Sequence, residues 1–233
     1  MAWKNVPFYL SFTEKALFLR RLSKEMEITS KEPSLFYPTQ VLAWRLEEEA
    51  PRLLALCREV GIAVGDLETL PVKRQREKAA ERLLLRRAFG RPVVLSHTGQ
   101  GAPMVEGCDV NISISHTMRL VVLAVDERRV IGIDAEQVDR QQVLRVRDKF
   151  LNDSEQAFLP ADDLVAHIIA WTAKEAIIKA ERNSAIDWTH GIVLEPFSPE
   201  GVETHLGARC GNVDYQVVAR LVEDHYITLA VPR

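Results

Sequence analysis

The sequence predicts an α+β fold, with helices mixed among antiparallel hairpins. Two patterns carry this expectation. Long stretches with helical spacing, such as Val72 to Phe89 and Asp162 to Ala180, alternate with short β-branched runs such as Ile112 to Thr117 and Leu120 to Val125. Apolar residues fill 47% of the 233 positions, which is ample for a core.

Taken in order, Val6 to Phe12 reads as a strand and Glu14 to Glu25 as a helix. Thr29 to Pro38 is polar and proline-marked, so a loop is expected there. Val41 to Leu46 alternates like a strand, and Glu47 to Val60 is a helix with Pro51 in its first turn. Val72 to Phe89 is a long basic helix that Gly90 and Pro92 end. Strands are expected from Val93, over Ile112 to Thr117 and over Leu120 to Val125. Val130 to Ile133 follows as another strand, then a helix from Val138 to Leu151 and a loop holding Asp153 and Glu155. Asp162 or Asp163 can cap the helix that runs to Ala180. Strands near Ile192 to Phe197, Tyr215 to Val222 and Tyr226 to Val231 close the chain, with Glu223-Asp224 as a hairpin turn.

Composition excludes several classes. A net charge of −3 does not favour nucleic-acid binding. The three cysteines, Cys57, Cys108 and Cys210, are scattered, so neither a zinc site nor a disulfide framework is indicated, and a reducing cytoplasm fits. No apolar run is long enough to span a membrane, and the start lacks the pattern of a signal peptide.

Two acidic motifs carry the chemistry. In Gly132-Ile133-Asp134-Ala135-Glu136, alternation puts Asp134 and Glu136 on one face of the strand end and Ala135 on the other. Gly132 permits close approach of a backbone or a ligand. Neighbouring carboxylates repel unless a cation lies between them, and a hard divalent ion such as Mg²⁺ takes such oxygens. Two surface acids at a strand end would give the same local pattern. In Trp171-Thr172-Ala173-Lys174-Glu175-Ala176-Ile177-Ile178-Lys179, Glu175 and Lys179 form an i, i+4 pair on one stripe with Trp171. An exposed ion pair would explain that pair but not the apolar stripe around it. Ser113 and Ser115 share a face of the strand that ends at His116, a hairpin away from Asp134.

The order Ser115-His116, then Gly132-x-Asp134-x-Glu136, then Trp171-Thr172-x-Lys174-Glu175-Ala176-x-x-Lys179 resembles the 4′-phosphopantetheinyl transferases. The resemblance runs from about Val41 to the C-terminus. It implies transfer of phosphopantetheine from coenzyme A to a serine of an acyl or peptidyl carrier protein, as in holo-acyl-carrier-protein synthases, with 3′,5′-ADP leaving. It implies Mg²⁺ on Asp134, Glu136 and Glu175, and phosphate contacts from Lys174 and Lys179. His116, with Ser115 beside it, is implied to meet the 3′-phosphate of the nucleotide. In the basic helix the family context matches Arg82 best for that phosphate, with Lys78 or Lys73 beside it. Catalysis would then rest on Glu175 as the base and on Lys179.

The length resembles the longer class of the family, a monomer with two fused, similar halves. We divide it into residues 1–118, with 1–38 as an extension, and 119–233, which hold the metal and catalytic motifs. Two departures stand out. The family often has Gly-Lys-Pro where this chain has Gly101-Ala102-Pro103, and Phe-Asn where it has Ile112-Ser113. The alternatives are a non-catalytic relative that binds coenzyme A or a carrier protein, and a Mg²⁺-dependent hydrolase of coenzyme A.

Overall fold

A computed structural model describes residues 25–27 and 39–233 of the chain. The strand expected at 6–12, nearly all of the helix at 14–25 and the loop at 29–38 lie outside the described residues. The fold is α+β, as expected. The first sheet is built from β1 (Glu25–Glu27), β2 (Gln40–Arg45), β5 (Asn111–His116) and β6 (Leu120–Asp126), in the order β1-β2-β6-β5. The second holds β7 (Gly132–Gln137), β8 (Ile192–Leu194), β9 (Glu203–Cys210), β10 (Val213–Val222) and β11 (His225–Pro232), in the order β7-β11-β10-β9-β8. Every pairing in both sheets is antiparallel. A small hairpin, β3 (Leu95–His97) with β4 (Pro103–Val105), stands apart.

Each sheet buries its two faces differently. On β2 and β6, Leu42, Trp44, Val121 and Leu123 pack against α1 (Ala50–Glu59) and α2 (Val72–Phe89). The intervening residues Val41, Ala43, Leu120, Val122 and Ala124 join Ile133, Ala135, Ile227 and Leu229 of the second sheet in a separate core. Strand alternation thus gives the first sheet one helix-covered face and one sheet-covered face. The far face of the second sheet lies under α5 (Leu164–Glu181). Three shorter segments adjoin it, namely α3 (Gln142–Arg145), a 3₁₀ turn at Arg147–Lys149 and α4 (Asp153–Phe158).

The expected dividing point, Met118-Arg119, is the turn of the β5–β6 hairpin, and both strands of that hairpin belong to the first sheet. The chain passes to the second sheet between Asp126 and Gly132. The helix expected at 138–151 is broken into α3 and the 3₁₀ turn. Val138 is held instead by a bond from its N–H to the Asp224 carbonyl. The expected loop after it contains α4, which Asn152 and Glu155 start with a reciprocal capping box. Strand β9 was not foreseen.

Polar groups also lock the two sheets together. The guanidinium of Arg45 on β2 bonds Asp224 at 2.8 Å and also pairs with Glu223, and Arg119 reaches Asp224 at 3.1 Å. Thr117 and His225 share a hydrogen bond of 2.9 Å. Burial disfavours the Asp224 carboxylate, but bonds from Arg45, His225 and Arg119 outweigh it and hold its pKa well below the usual range. A carboxyl whose folded pKa is depressed contributes stability above its unfolded pKa and loses that contribution as pH falls. Asp224→Asn is therefore expected to lower stability by about 1 kcal/mol at pH 7. In urea unfolding, the gap should narrow as pH falls below about 4. An equal gap at pH 7 and pH 3 would contradict the ion-pair assignment.

Candidate active site

The site forms where the edge strands of the two sheets meet under α5. Gly132 begins β7, and a Cβ there would lie 1.8 Å from the carbonyl oxygen of Ala176 and 2.7 Å from the nitrogen of Ala180. Only glycine lets the backbone of α5 lie this close to the strand. With Ala173, Ala176 and Ala180 buried on α5, strand and helix meet through their smallest side chains. The close approach expected of Gly132 is therefore made by another backbone.

That approach decides what faces what. Asp134 and Glu136 point to the α5 side of β7, while Ala135 is buried between the sheets, as alternation predicts. Both acids lie inside β7 rather than at its end. On α5, capped by the Asp163 carboxylate at the Ala166 N–H, Trp171, Glu175 and Lys179 form a half-buried stripe. Lys179 Nζ donates to Asp134 Oδ1 at 2.7 Å and to the Ile133 carbonyl at 3.0 Å. From the other sheet, Ser115 Oγ donates to the same Asp134 oxygen at 2.6 Å, and Ser113 Oγ accepts the Ile133 N–H at 2.9 Å. Glu136 is met by Arg140 at 2.8 Å, a contact the sequence reading missed.

Glu175 completes the set. Its carboxylate makes no hydrogen bond within the described residues. Burial, then Asp134, and to a smaller extent Glu136 push its pKa up to about 7, against the opposing charge of Lys179. Burial is also the main cause that raises Glu136. Three carboxylates thus sense one another around one lysine.

Those carboxylates are hard oxygen donors of the kind Mg²⁺ takes, and a divalent ion would offset both the burial and the neighbouring charge that raise Glu175. In this arrangement Asp134 is turned to Lys179 and Ser115, and Glu136 to Arg140. Among the described residues, no three acidic, histidine or cysteine side chains stand close enough together to hold a metal as they are. The donor chemistry fits the ion, and its uptake requires these side chains to regroup.

Two cavities adjoin this centre, and a larger cleft lies elsewhere on the described surface. One of about 220 Å³ is lined by Ala102, Ser113, Lys179 and Arg182. A cleft of about 590 Å³ beside α2 is lined by Lys78, Glu81, Arg82 and His97. An aromatic cavity of about 260 Å³ is lined by Phe150, Trp171, Trp188 and Arg140.

Residues 130–230 match the family model of the 4′-phosphopantetheinyl transferase superfamily. This part of the chain is similar to that superfamily. No curated protein matches the chain. No helix among the described residues is long and apolar enough to cross a membrane.

Against the expectations for a transferase of this superfamily, the remaining residues divide. His116 Nε2 lies 3.4 Å from Glu81 Oε2, and Lys78 Nζ bonds both Glu81 oxygens at 2.9 Å. Burial works against the Glu81 carboxylate, but His116 and Lys78 outweigh it and lower its pKa. Arg82 bonds Asp66 at 3.0 and 2.5 Å and the Ala63 carbonyl at 2.7 Å, at the wall of the cleft. The Asp66 side chain is 64% exposed, so this partner can be exchanged for a ligand. Lys73 lies near Glu77 on the exposed side of α2.

Two expected contacts with coenzyme A need correction. Ser115 is buried, and its hydroxyl is committed to Asp134. Lys174 is fully buried, and its ammonium bonds Glu155 at 2.7 Å and the carbonyls of Phe150, Trp188 and Ile192 at 2.7–2.9 Å. Burial lowers its pKa, and Glu155 opposes that shift. Its neighbour Glu175 faces the site, and successive residues on a helix face different ways. Lys174 therefore ties α5 to the segments that flank it and meets no phosphate. Lys174→Ala would leave the buried Glu155 charge without its cation and three carbonyls without this donor, so a loss of about 3–5 kcal/mol is expected in urea unfolding. Unchanged stability with a raised KM for coenzyme A would restore the phosphate-contact role.

Proposed function

We propose that the chain transfers 4′-phosphopantetheine from coenzyme A to a serine of an apo acyl or peptidyl carrier protein, releasing 3′,5′-ADP, with Mg²⁺ required. The observation that carries this reading is the convergence of Asp134, Glu136, Glu175 and Lys179 between β7 and α5 in the matched region. A pure binding module has no use for carboxylates that repel one another. On this reading the chain acts as a monomer, the site lying between its own two halves.

The reaction follows from the placement of these groups. The carrier serine oxygen bonds to the β-phosphorus of coenzyme A, the bond from that phosphorus to the oxygen of 3′,5′-ADP breaks, and the serine proton goes to Glu175. Glu175 makes no hydrogen bond among the described residues, so its carboxylate is the member of the set open to that proton. Lys179 carries three N–H groups and spends two on Asp134 and Ile133, so a third is available to a phosphate oxygen. Ser115 holds Asp134 in place from the opposite sheet. Asp134, Glu136 and Glu175 would hold the Mg²⁺, which when bound supplies positive charge to the pyrophosphate. His116 and Arg82 would meet the 3′-phosphate of coenzyme A, with Lys78 close by.

Incubation with coenzyme A, Mg²⁺ and a panel of apo carrier proteins, followed by mass measurement of each carrier, tests this reading. A mass gain of one phosphopantetheine is expected on at least one carrier. Release of 3′,5′-ADP without a carrier would mean hydrolysis instead, and neither product would mean binding alone. Glu175→Gln should lower transfer by about 10²-fold or more while the thermal transition is kept. Near-normal transfer by that variant would remove Glu175 from the chemistry.

A further inference from the structure

The chain leaves α5 through Arg182, whose φ of 53° lies in the left-handed region. Glycine is the usual occupant of such a helix end, because a Cβ is strained there. The cap itself needs only the backbone, whose N–H reaches the carbonyls of Ile178 and Lys179. The arginine side chain must therefore have another reason to be present. A strained residue held in place beside a cavity points to a function.

Its guanidinium crosses to β5, where Nη2 donates to Asn111 Oδ1 at 2.9 Å. Among the described residues no carboxylate pairs with it. The side chain lines the cavity shared by Lys179 and the Gly101-Ala102-Pro103 loop. Lys179 on α5 and Arg182 just past its end both line this cavity, so two cations meet one space. Two cations with one carboxylate among their contacts leave positive charge for an anion. The loop on the facing wall offers Ala102, which has none to give.

We propose that Arg182 binds a phosphate of coenzyme A in this cavity and supplies the charge that Ala102 does not. The inference rests on the transferase reading above, since it takes coenzyme A as the ligand. A guanidinium suits this task because its planar fork matches phosphate oxygens two at a time. Asn111 holds one arm of the fork, which lowers the ordering cost when the ligand arrives.

Calorimetric titration of the full chain with coenzyme A and with 3′-dephospho-coenzyme A tests the inference, using wild type, Arg182→Gly and Arg182→Lys. Arg182→Gly should weaken coenzyme A binding about tenfold or more. Its melting temperature should stay at or above that of wild type, because glycine relieves the left-handed backbone. Arg182→Lys should recover part of the affinity. A loss seen only with coenzyme A assigns Arg182 to the 3′-phosphate, and an equal loss with both ligands assigns it to the pyrophosphate. Either pattern supports the inference. Unchanged affinity in Arg182→Gly overturns it, as does a loss that follows a lower melting temperature and is not recovered by lysine. Wild type that binds no coenzyme A sinks the transferase reading and this inference together, whereas binding by wild type with an unaffected glycine variant sinks only the role of Arg182.

Discussion

The backbone of α5 rests on the start of β7 because Gly132 has no side chain, and the site is a consequence of that contact. A methyl group at this position would overlap the Ala176 carbonyl. Relieving the overlap requires helix and strand to separate, and Glu175 and Lys179 would move with the helix. One missing Cβ thus sets the spacing on which the chemistry depends. Alanines on the facing side of α5 extend the same fit along the strand.

A second constraint comes from the way the sheets are joined. β5 and β7 are edge strands, and exposed edges are prone to pair with other chains. Here the two edges lie against each other and are bridged by serine hydroxyls rather than by a full ladder. Ser113 takes the position where the resemblance leads one to expect asparagine, and it serves the junction between sheets. Ser115 reaches across it to the acid that Lys179 holds. Asp134 is therefore held between β5 and α5. Burial, and after it the neighbouring Asp134 carboxylate, raises the pKa of Glu175.

Much of this was legible in the sequence, for identifiable reasons. The helix at 72–89 has glycine and proline as stop signals, and α5 has an aspartate cap and an unbroken apolar stripe. Asp134 and Glu136 followed from strand alternation, and the match over 130–230 takes in the last two of the motifs that suggested the family. What failed depended on contacts distant in sequence. β9 escaped because Thr204 and His205 interrupt its apolar pattern and Gly207 weakens its strand signal. The helix expected from Val138 was shortened because Val138 continues the sheet to Asp224. Lys174 stands next to a site residue in sequence but a turn of about 100° away on the helix, where Glu155 waits. The capping pattern Asn152-x-x-Glu155 was the available signal for α4, yet nothing local says that Glu155 also receives a buried lysine. Arg182 had no signal at all, since its meaning lies in its backbone angle and in a cavity wall from the other half.

On the proposed reading, this strand–helix contact sets the spacing of the carboxylates that would hold one divalent ion. Calorimetric titration of Mg²⁺ into the chain with coenzyme A present, for wild type and Gly132→Ala side by side, tests it most directly. One ion per chain is expected for wild type, with affinity about tenfold or more weaker in the variant although no donor has been changed. An alanine variant that takes up Mg²⁺ as tightly as wild type, or a wild-type chain that takes up none, would contradict it.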